Sequence, residues 1–241
     1  MPVNSQAPRP ASPADTVDRK RFWDRKILAW EERKYVEPKK LLHRVFDVNW
    51  SLRTRLHIAR RLVTQLAKGR TILEVGCGSA RLLPDIVAAG AARYIGVDIS
   101  RIALETARAN AKRLAGTTAI ELHDMDIADL PPMAPDICFS LGLLDWLQPE
   151  EILRMLRQIR CTYYVHSFSE RCASPEQLLH RLYVHWMYGH RTKSYVPQYY
   201  TGARMQAMFS ASYGEPVRLF RSRDLSFGAF VFRLPDGITP S

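Results

Sequence analysis

The sequence predicts a doubly wound α/β fold with a mostly parallel seven-stranded sheet, helices on both faces and an N-terminal helical extension. From residue 71 onward, short β-rich runs alternate with helical stretches of about ten to fifteen residues, the pattern of a parallel sheet with crossover helices. The last two strand-like runs are joined by a turn near Asp224 that is too short for a crossover, so the last strand is expected to run antiparallel. A chain of 241 residues, 46% of them hydrophobic, can bury a sizeable core.

The N-terminal part of the sequence lacks the alternation of strands and helices that the rest shows. Residues 1–14 are rich in Pro, Ala and Ser and are predicted to be a disordered tail. Residues 15–50 are predicted to form a helical cap, because Trp23, Ile27 and Trp30 recur at helical spacing among Lys and Arg. We expect this apolar stripe to pack in the core, and the alternative is that it faces a binding site.

Residues 51–241 are predicted to form the main domain, with a lid-like insertion at about 170–215. Apolar residues from Leu52 to Leu66 recur at helical spacing, and Gly69 suits the position past the end of that helix. The strand-like runs that follow cover residues 71–75, 93–98, 118–122, 136–141, 162–167, 217–223 and 226–233.

The helices between these strands have recognisable ends. Ser100 can cap a helix that Gly116 closes, and Pro149 opens another that reaches about residue 158. Ser174 with Gln177 forms a capping box over a helix expected to reach about residue 188. A last helix is predicted over residues 202–209.

The composition excludes several classes of protein. With 24% charged residues, average hydrophobicity and no run of 18 apolar residues, the chain is neither disordered throughout, fibrous nor membrane-spanning. Cys77, Cys138, Cys161 and Cys172 show no CxxC spacing, which indicates free thiols, a reducing compartment and no metal site. The first twelve residues hold three prolines and no apolar block, so we expect a cytoplasmic protein without a secretory signal.

The net charge of +11 is concentrated near the N-terminus. Residues 1–70 carry 17 basic and 7 acidic residues, whereas residues 71–160 carry 9 and 12. One interpretation is a solvated helical face; the other is a docking surface for an anionic substrate, a nucleic acid or an acidic membrane. The runs Arg19-Lys20-Arg21 and Arg60-Arg61 are too short to decide between them.

The run Glu74-Val75-Gly76-Cys77-Gly78-Ser79-Ala80 lies between a strand and a helix. Gly76 and Gly78 let the backbone turn tightly and approach a ligand closely. A dinucleotide-binding fold uses a similar turn, but the third glycine at its spacing is missing. Glu74 would attract an ammonium group, and Asp98 at the end of the next strand can accept both hydroxyls of a ribose. These features favour a cationic nucleoside without a pyrophosphate, which is the chemistry of S-adenosylmethionine.

Four motifs together resemble the class I S-adenosylmethionine-dependent methyltransferases. They occupy residues 72–80, 94–100, 125–131 and 136–147, in the order and at the spacing of that family, and the resemblance covers about residues 55–170. The third of them, Met125-Asp126-Ile127-Ala128-Asp129-Leu130-Pro131, is similar to the family's GDAxDLP-type segment. Where many members have a third small residue, this chain has Ala80 followed by Arg81.

The resemblance implies a binding site for S-adenosylmethionine. The residues implied to lie under its methionine moiety are Gly76, Cys77 and Gly78. Glu74 would hold the methionine ammonium through water. Asp98 would bind the ribose hydroxyls, with Ile99 against the adenine.

The resemblance also implies contacts to the adenine and to the reacting end. Asp126 would accept from the adenine amino group, and Ile127 would donate its backbone N–H to the ring. Asp124 and Asp129 are alternatives for Asp126, because a shift of two residues would exchange their roles. The residues implied to line the reacting end are Ser140, Leu141 and Gly142.

Candidate catalytic residues follow the fourth strand and lie in the predicted lid. In a parallel sheet the acceptor sits beyond the carboxyl ends of the strands, which points to Asp145 and Trp146. His190 has a pKa suited to a general base, and Arg191 with Lys193 could clamp an anionic substrate. The alternative for this segment is a helix end whose basic residues complement the helix dipole.

The acceptor is the least determined part of the prediction. The Asn-Pro-Pro-Tyr and Asp-Pro-Pro-Tyr strings that resemble amino-nitrogen methylators are absent after the fourth strand, which favours a small-molecule O-, N- or C-acceptor such as an anionic metabolite or glycan intermediate. The alternatives are an RNA methyltransferase that uses the basic N-terminal segment, and a non-catalytic S-adenosylmethionine-binding subunit. The arginine-rich first helix and the lid are faintly similar to the porphyrin O-methyltransferases, without a supporting sequence string.

Overall fold

The computed structural model describes residues 13–35, 50–174, 177–182 and 195–240. Its centre is a seven-stranded sheet in the order β3-β2-β1-β4-β5-β7-β6. The strands are β1 (Thr71–Val75), β2 (Arg93–Asp98), β3 (Ala119–Asp124), β4 (Ile137–Leu141), β5 (Tyr163–Ser169), β6 (Arg218–Arg221) and β7 (Gly228–Arg233). Only β7 pairs antiparallel with both of its neighbours, so the predicted sheet with an antiparallel last strand is confirmed.

Six helices surround the sheet in the described part of the chain. They are α1 (Pro13–Tyr35), α2 (Trp50–Ala67), α3 (Leu83–Ala88), α4 (Arg101–Ala111), α5 (Pro149–Gln158) and α6 (Gly202–Tyr213). Residues 177–182 are also helical, and single 3-10 turns lie at Ile127–Asp129, Leu144–Trp146 and Arg223–Leu225. None of these helices offers an apolar stretch that could cross a bilayer.

Local sequence signals account for most helix ends. The Ser100 hydroxyl accepts from the backbone N–H of Ala103 at 3.3 Å, as a cap does at the start of α4. That helix ends at Ala111, earlier than predicted, and residues 112–113 continue it only as a turn. The Ser174 hydroxyl accepts from the N–H of Gln177 at 3.1 Å, which is one half of the predicted capping box. The Gln177 side chain instead accepts from the N–H of Cys172 at 2.8 Å and donates to the Glu170 carbonyl at 2.5 Å.

The predicted division of the chain into a tail, an N-terminal cap and a main domain with a lid stays a prediction. Helix α1 occupies most of the predicted N-terminal cap, but residues 36–49 and the tail before residue 13 lie outside the described residues. The predicted lid is described at residues 177–182 and 195–200 and in α6, and the end of its predicted first helix lies outside.

The two faces of the sheet belong to different apolar layers, because successive side chains of a strand point to opposite sides. Ile72 and Phe139 pack with α2 and α3, and Leu73 and Cys138 pack with α5 and α6. Cys77 and Cys161 are buried as well, and all four cysteines, including the exposed Cys172, are free thiols.

The strand order reverses between β1 and β4, and this reversal positions the site. Strand β1 pairs with β2 on one side and with β4 on the other. The crossovers from these strands leave in opposite directions, which opens a crevice beyond their carboxyl ends. Helix α1 lies over this crevice: Lys20 donates to the Ile99 carbonyl at 2.8 Å, and the Ser100 hydroxyl donates to Asp24 at 2.9 Å.

Candidate functional site

The floor of the crevice is the glycine turn, residues 76–78 after β1. Gly76 and Gly78 have φ of +70° and +54°, in the left-handed region that glycine adopts without strain. The backbone N–H groups of Gly76 and Cys77 both donate to the Val97 carbonyl, at 2.8 and 3.1 Å. The turn is therefore fastened to the end of β2.

Above the turn lies a cavity whose empty space, including the open solvent at its mouth, is about 770 Å³. Its walls come from three sources: the ends of β1 and β2, the segments after β3 and β4, and helix α1 with Tyr195. The residues that line it are Val75, Gly76, Val97, Asp98, Ile99, Met125, Asp126, Ile127, Leu141, Gly142, Leu143, Trp146, Leu147, Arg19, Trp23, Ile27, Trp30 and Tyr195.

Asp98 lines the cavity at the end of β2 and is held by two backbone donors. One carboxylate oxygen accepts from the N–H of Gly78 at 2.7 Å, and the other accepts from the N–H of Ser100 at 2.8 Å. Burial raises the pKa of Asp98 to about 6, although both hydrogen bonds lower it. The carboxylate is therefore mostly ionised at neutral pH and fixed in orientation beside the turn.

Glu74 lies behind the turn, outside the cavity lining, and is 4% exposed. Its carboxyl group accepts a hydrogen bond from the Tyr94 hydroxyl at 2.5 Å. Burial, together with the negative charges of Glu31 and Asp98, raises the pKa of Glu74 to about 8, although the hydrogen bond from Tyr94 lowers it. A cation bound beside Glu74 would lower the pKa of this carboxyl group again.

A third carboxylate at the turn, Glu31 of α1, is a site residue that the sequence analysis missed. Glu31 is buried and accepts from the backbone N–H of Ser79 at 3.0 Å and from the Ser79 hydroxyl at 2.5 Å. A signal for it was present, because Glu31 follows Ile27 by four residues and so shares a helix face with the apolar stripe.

The segment after β3 has its two predicted adenine contacts, Asp126 and Ile127, in the cavity lining. The Asp126 carboxylate accepts from the N–H of Ala128 at 2.9 Å, which starts the 3-10 turn and fixes the side chain. Of the alternatives, Asp124 pairs with Lys20 of α1 at 2.5 Å, and neither it nor Asp129 lines the cavity. The placement favours Asp126, and its role in binding adenine stays a prediction.

Of the residues predicted at the reacting end, Leu141 and Gly142 line the cavity and Ser140 does not. The Ser140 side chain is fully buried on the α5–α6 side of the sheet, where its hydroxyl lies 2.9 Å from Nδ1 of His166. Burial lowers the pKa of His166 to about 3, so the imidazole is neutral. Gly142 donates its N–H to the Ser167 hydroxyl at 2.9 Å.

The predicted catalytic residue Asp145 lies outside the cavity lining. Its carboxylate accepts from the N–H and the hydroxyl of Ser169, at 2.6 and 2.9 Å, and lies 3.8 Å from Nη1 of Arg55. The next residue, Trp146, lines the cavity instead. A catalytic role for Asp145 stays a prediction, and its contacts are those of a residue that joins β5 to the end of β4.

The other two predicted catalytic residues, His190 and Arg191, lie outside the described residues, and so does Lys193. Directly after β5, Glu170 is ion-paired with Arg221 at 2.5 Å and accepts from the N–H of Gly202 at 3.0 Å. In the described part of the chain, no group of three His, Cys, Asp or Glu side chains could hold a metal ion.

An aromatic wall closes the cavity on the side of α1. Trp23 donates through Nε1 to the Tyr195 hydroxyl at 2.9 Å, and its ring centroid lies 4.9 Å from that of Trp146. Arg19 stacks over Tyr195 and is ion-paired with Glu151 of α5. The expectation that the stripe of Trp23, Ile27 and Trp30 packs in the core is therefore wrong. It faces the cavity, because α1 crosses the crevice.

The sequence family described as "Methyltransferase domain" matches residues 72–162, which include the glycine turn, Asp98 and Asp126. This match and the seven-stranded sheet confirm the predicted resemblance to the class I S-adenosylmethionine-dependent methyltransferases. The parts of the chain that cover the cavity, helix α1 and Tyr195, lie outside the matched residues.

Curated relatives match mainly this same segment. The tRNA U34 carboxymethyltransferase of Shewanella denitrificans is 39% identical over 100 residues, which are 41% of this chain and 30% of that protein. The tRNA U34 carboxymethyltransferase of Cronobacter sakazakii is 31% identical over 145 residues, 59% of this chain and 43% of that protein. The chain thus spans less than half the length of these relatives.

Solved structures resemble this chain in fold over most of its length. Magnesium protoporphyrin IX methyltransferase from Synechocystis, crystallised with bound SAH, has a TM-score of 0.67 at 16% identity and covers 90% of this chain and 98% of its own. The 1,6-didemethyltoxoflavin-N1-methyltransferase of Burkholderia thailandensis, with bound 1,6-didemethyltoxoflavin and S-adenosylhomocysteine, has a TM-score of 0.60 at 13% identity, covering 94% and 91%.

Proposed function

We propose that this chain binds S-adenosylmethionine in the cavity above the glycine turn and transfers its methyl group to a small-molecule acceptor. The observation that carries the donor assignment is the pair of carboxyl groups, Asp98 and Glu74, at the turn. They approach the turn from the ends of β2 and β1. Such a pair disfavours phosphate and favours a cation.

The donor's parts match the chemistry of the residues present. A side chain at Gly76 would fill the cavity floor, because an added Cβ would lie 3.1 Å from Cδ1 of Leu143. Asp98 would bind the ribose hydroxyls, Asp126 and Ile127 would bind the adenine, and Glu74 would compensate the ammonium. When bound, S-adenosylmethionine supplies an electrophilic methyl group on a sulfonium.

The covered cavity supports a small acceptor. Trp23, Trp30 and Trp146 give it an apolar wall, and the Trp23–Tyr195 hydrogen bond joins α1 to the segment before α6. Such walls exclude water and align an acceptor with the donor. Alignment and exclusion of water can supply most of the rate acceleration of a methyl transfer. A flat or apolar-faced molecule would stack well on these rings.

The second candidate is an RNA acceptor, and two observations favour it. The relatives from Shewanella and Cronobacter are named tRNA U34 carboxymethyltransferases. In addition, Arg21 and Arg25 are exposed on the outer face of α1, and the chain carries a net charge of +11. RNA binding that depends on these residues would weaken steeply with salt.

One pair of assays tests the proposed function. Calorimetry with S-adenosylmethionine measures donor binding, and donor with a labelled methyl group, incubated with a metabolite extract or with total RNA at low salt, reports the acceptor class. We expect donor binding and label in small molecules. Label in RNA would select the second candidate, donor binding without any transfer would indicate a non-catalytic subunit, and no donor binding would refute the proposal.

Donor binding is predicted to release protons at neutral pH. Glu74 is mostly protonated at pH 7 in the empty site because its pKa is about 8, and an ammonium beside it would lower that pKa. Affinity should therefore rise with pH from 7 towards 8, until the donor's own amino group, with a pKa of about 7.7–8.0, loses its proton.

Calorimetry at pH 7 in buffers of different ionisation enthalpy measures this release directly. We expect close to one proton per donor bound for the natural protein. In Glu74→Gln the release should nearly vanish, since the amide cannot titrate, while Asp98 is already mostly ionised at this pH. Equal proton release in both proteins would contradict the role of Glu74.

A further inference from the structure

A buried carboxylate contact lies next to the glycine turn. Its donors are the backbone N–H and the hydroxyl of Ser79, and the guanidinium of Arg81 adds positive charge. All three face the carboxylate of Glu31: Ser79 N–H lies at 3.0 Å, the Ser79 hydroxyl at 2.5 Å and Nε of Arg81 at 3.6 Å. Glu31 is 5% exposed, so the interaction is shielded from water.

The Glu31 carboxylate is in direct contact with the glycine turn. An added Cβ on Gly78 would lie 2.2 Å from Oε1 of Glu31, so this oxygen is seated against the backbone of Gly78. The methionine end of the proposed donor is assigned to this same turn. That end carries an ammonium, which the carboxylates of Glu74 and Asp98 attract. It also carries an α-carboxylate, which these acidic side chains would repel.

We propose that Ser79 and Arg81 form the subsite for the donor's α-carboxylate and that Glu31 occupies it as an internal substitute when the donor is absent. This inference rests on the proposed function. Two carboxylates cannot share these donors without strong repulsion, so the donor has to displace Glu31. The contact between Glu31 and Ser79 is in this sense autoinhibitory.

Displacement of Glu31 frees the C-terminal part of α1 and leaves its N-terminal part attached. Lys20 and Asp24 hold the helix to the end of β2 and the start of α4, two to three turns away from Glu31. The aromatic residues of α1 line the cavity between these attachments. Binding of the donor's amino-acid end is thereby linked to a shift of the wall that contacts the acceptor.

Calorimetric affinities of two ligands for Glu31→Gln test the subsite. The variant keeps the shape of the side chain but loses its charge, so it should bind S-adenosylmethionine about tenfold more tightly than the natural protein, the scale of one charged hydrogen bond. Decarboxylated S-adenosylmethionine keeps the sulfonium and the amine but cannot enter the subsite, and its affinity should change less than about twofold.

Glu32→Gln is the matched control, because it removes the same charge from the next, exposed residue of α1 and should leave both affinities unchanged. Weaker or unchanged binding of S-adenosylmethionine by Glu31→Gln would overturn the inference, as would equal tightening for both ligands. These outcomes leave the proposed function standing, because the natural protein still binds the donor. Only the absence of donor binding by the natural protein refutes both.

Discussion

Substitution of Gly76 by arginine is expected to abolish binding of S-adenosylmethionine, a loss of at least about 4 kcal/mol, or three orders of magnitude in affinity. Gly76 forms the cavity floor, and its φ of +70° favours glycine. A Cβ there already meets Leu143 at 3.1 Å, so the longer side chain has to extend into the space above. It would also place a positive charge where the donor's own charges lie. Calorimetric titration measures the loss.

Alanine variants separate the filled cavity from the strained backbone. Gly69, past the end of α2, has φ of +68°, and an added Cβ there meets nothing within 4 Å. Gly76→Ala and Gly69→Ala each place a side chain at positive φ, at a cost of about 1–2 kcal/mol, and only the first should weaken donor binding. Thermal unfolding monitored by circular dichroism checks that each variant is folded. A folded Gly76→Arg that binds the donor normally would refute the location of the donor site.

The sheet and the floor of the site were predictable because both are encoded locally. Each of the first five strands is a short apolar run next to a helix signal, and the glycines of residues 76–78 stand directly after the first. Carboxyl ends of parallel neighbours meet at one edge, so Asp98 was expected near the turn, and it accepts from the N–H of Gly78. The family spacing similarly brought Asp126 into the lining.

The covering of the site could not be predicted, because it depends on contacts between distant parts of the chain. Glu31 reaches Ser79 across 48 positions, and Trp23 reaches Tyr195 across 172. Helical periodicity shows that the stripe of α1 is apolar on one face, but a core and a ligand cavity bury such a face equally well. Only the placement of α1 across the crevice distinguishes them.

The burial of the Ser140 side chain has a different origin, the alternation of side chains within a strand. In β4 the side chains of Cys138 and Ser140 point to the α5–α6 face, and register pairs Ser140 with His166 of β5. The family resemblance places the end of β4 at the reacting end but does not state which side chains face it. Counting alternate positions from the apolar Cys138 would have placed Ser140 in the interior.

Asp145→Ala is expected to destabilise the fold by about 3–5 kcal/mol, the usual cost of removing one partner from a buried ion pair. Arg55, on α2, is 4% exposed, and its guanidinium packs so closely on Gly228 that an added Cβ there would lie 2.4 Å from Nε. Removing Asp145 leaves this charge buried and takes the acceptor from both donor groups of Ser169. Chemical denaturation measures the change in the free energy of unfolding.

A surface pair on the same helix provides the control. Asp85 pairs with Arg60 of α2 at 2.9 Å, with both side chains about two-fifths exposed, so Asp85→Ala should cost less than about 1 kcal/mol. If the loss in Asp145→Ala arises from the buried charge, the double variant Arg55→Met, Asp145→Leu should recover much of it, because apolar residues of similar volume often replace a buried pair without loss. A stable Asp145→Ala that binds the donor but transfers no methyl group would instead show that Asp145 is catalytic.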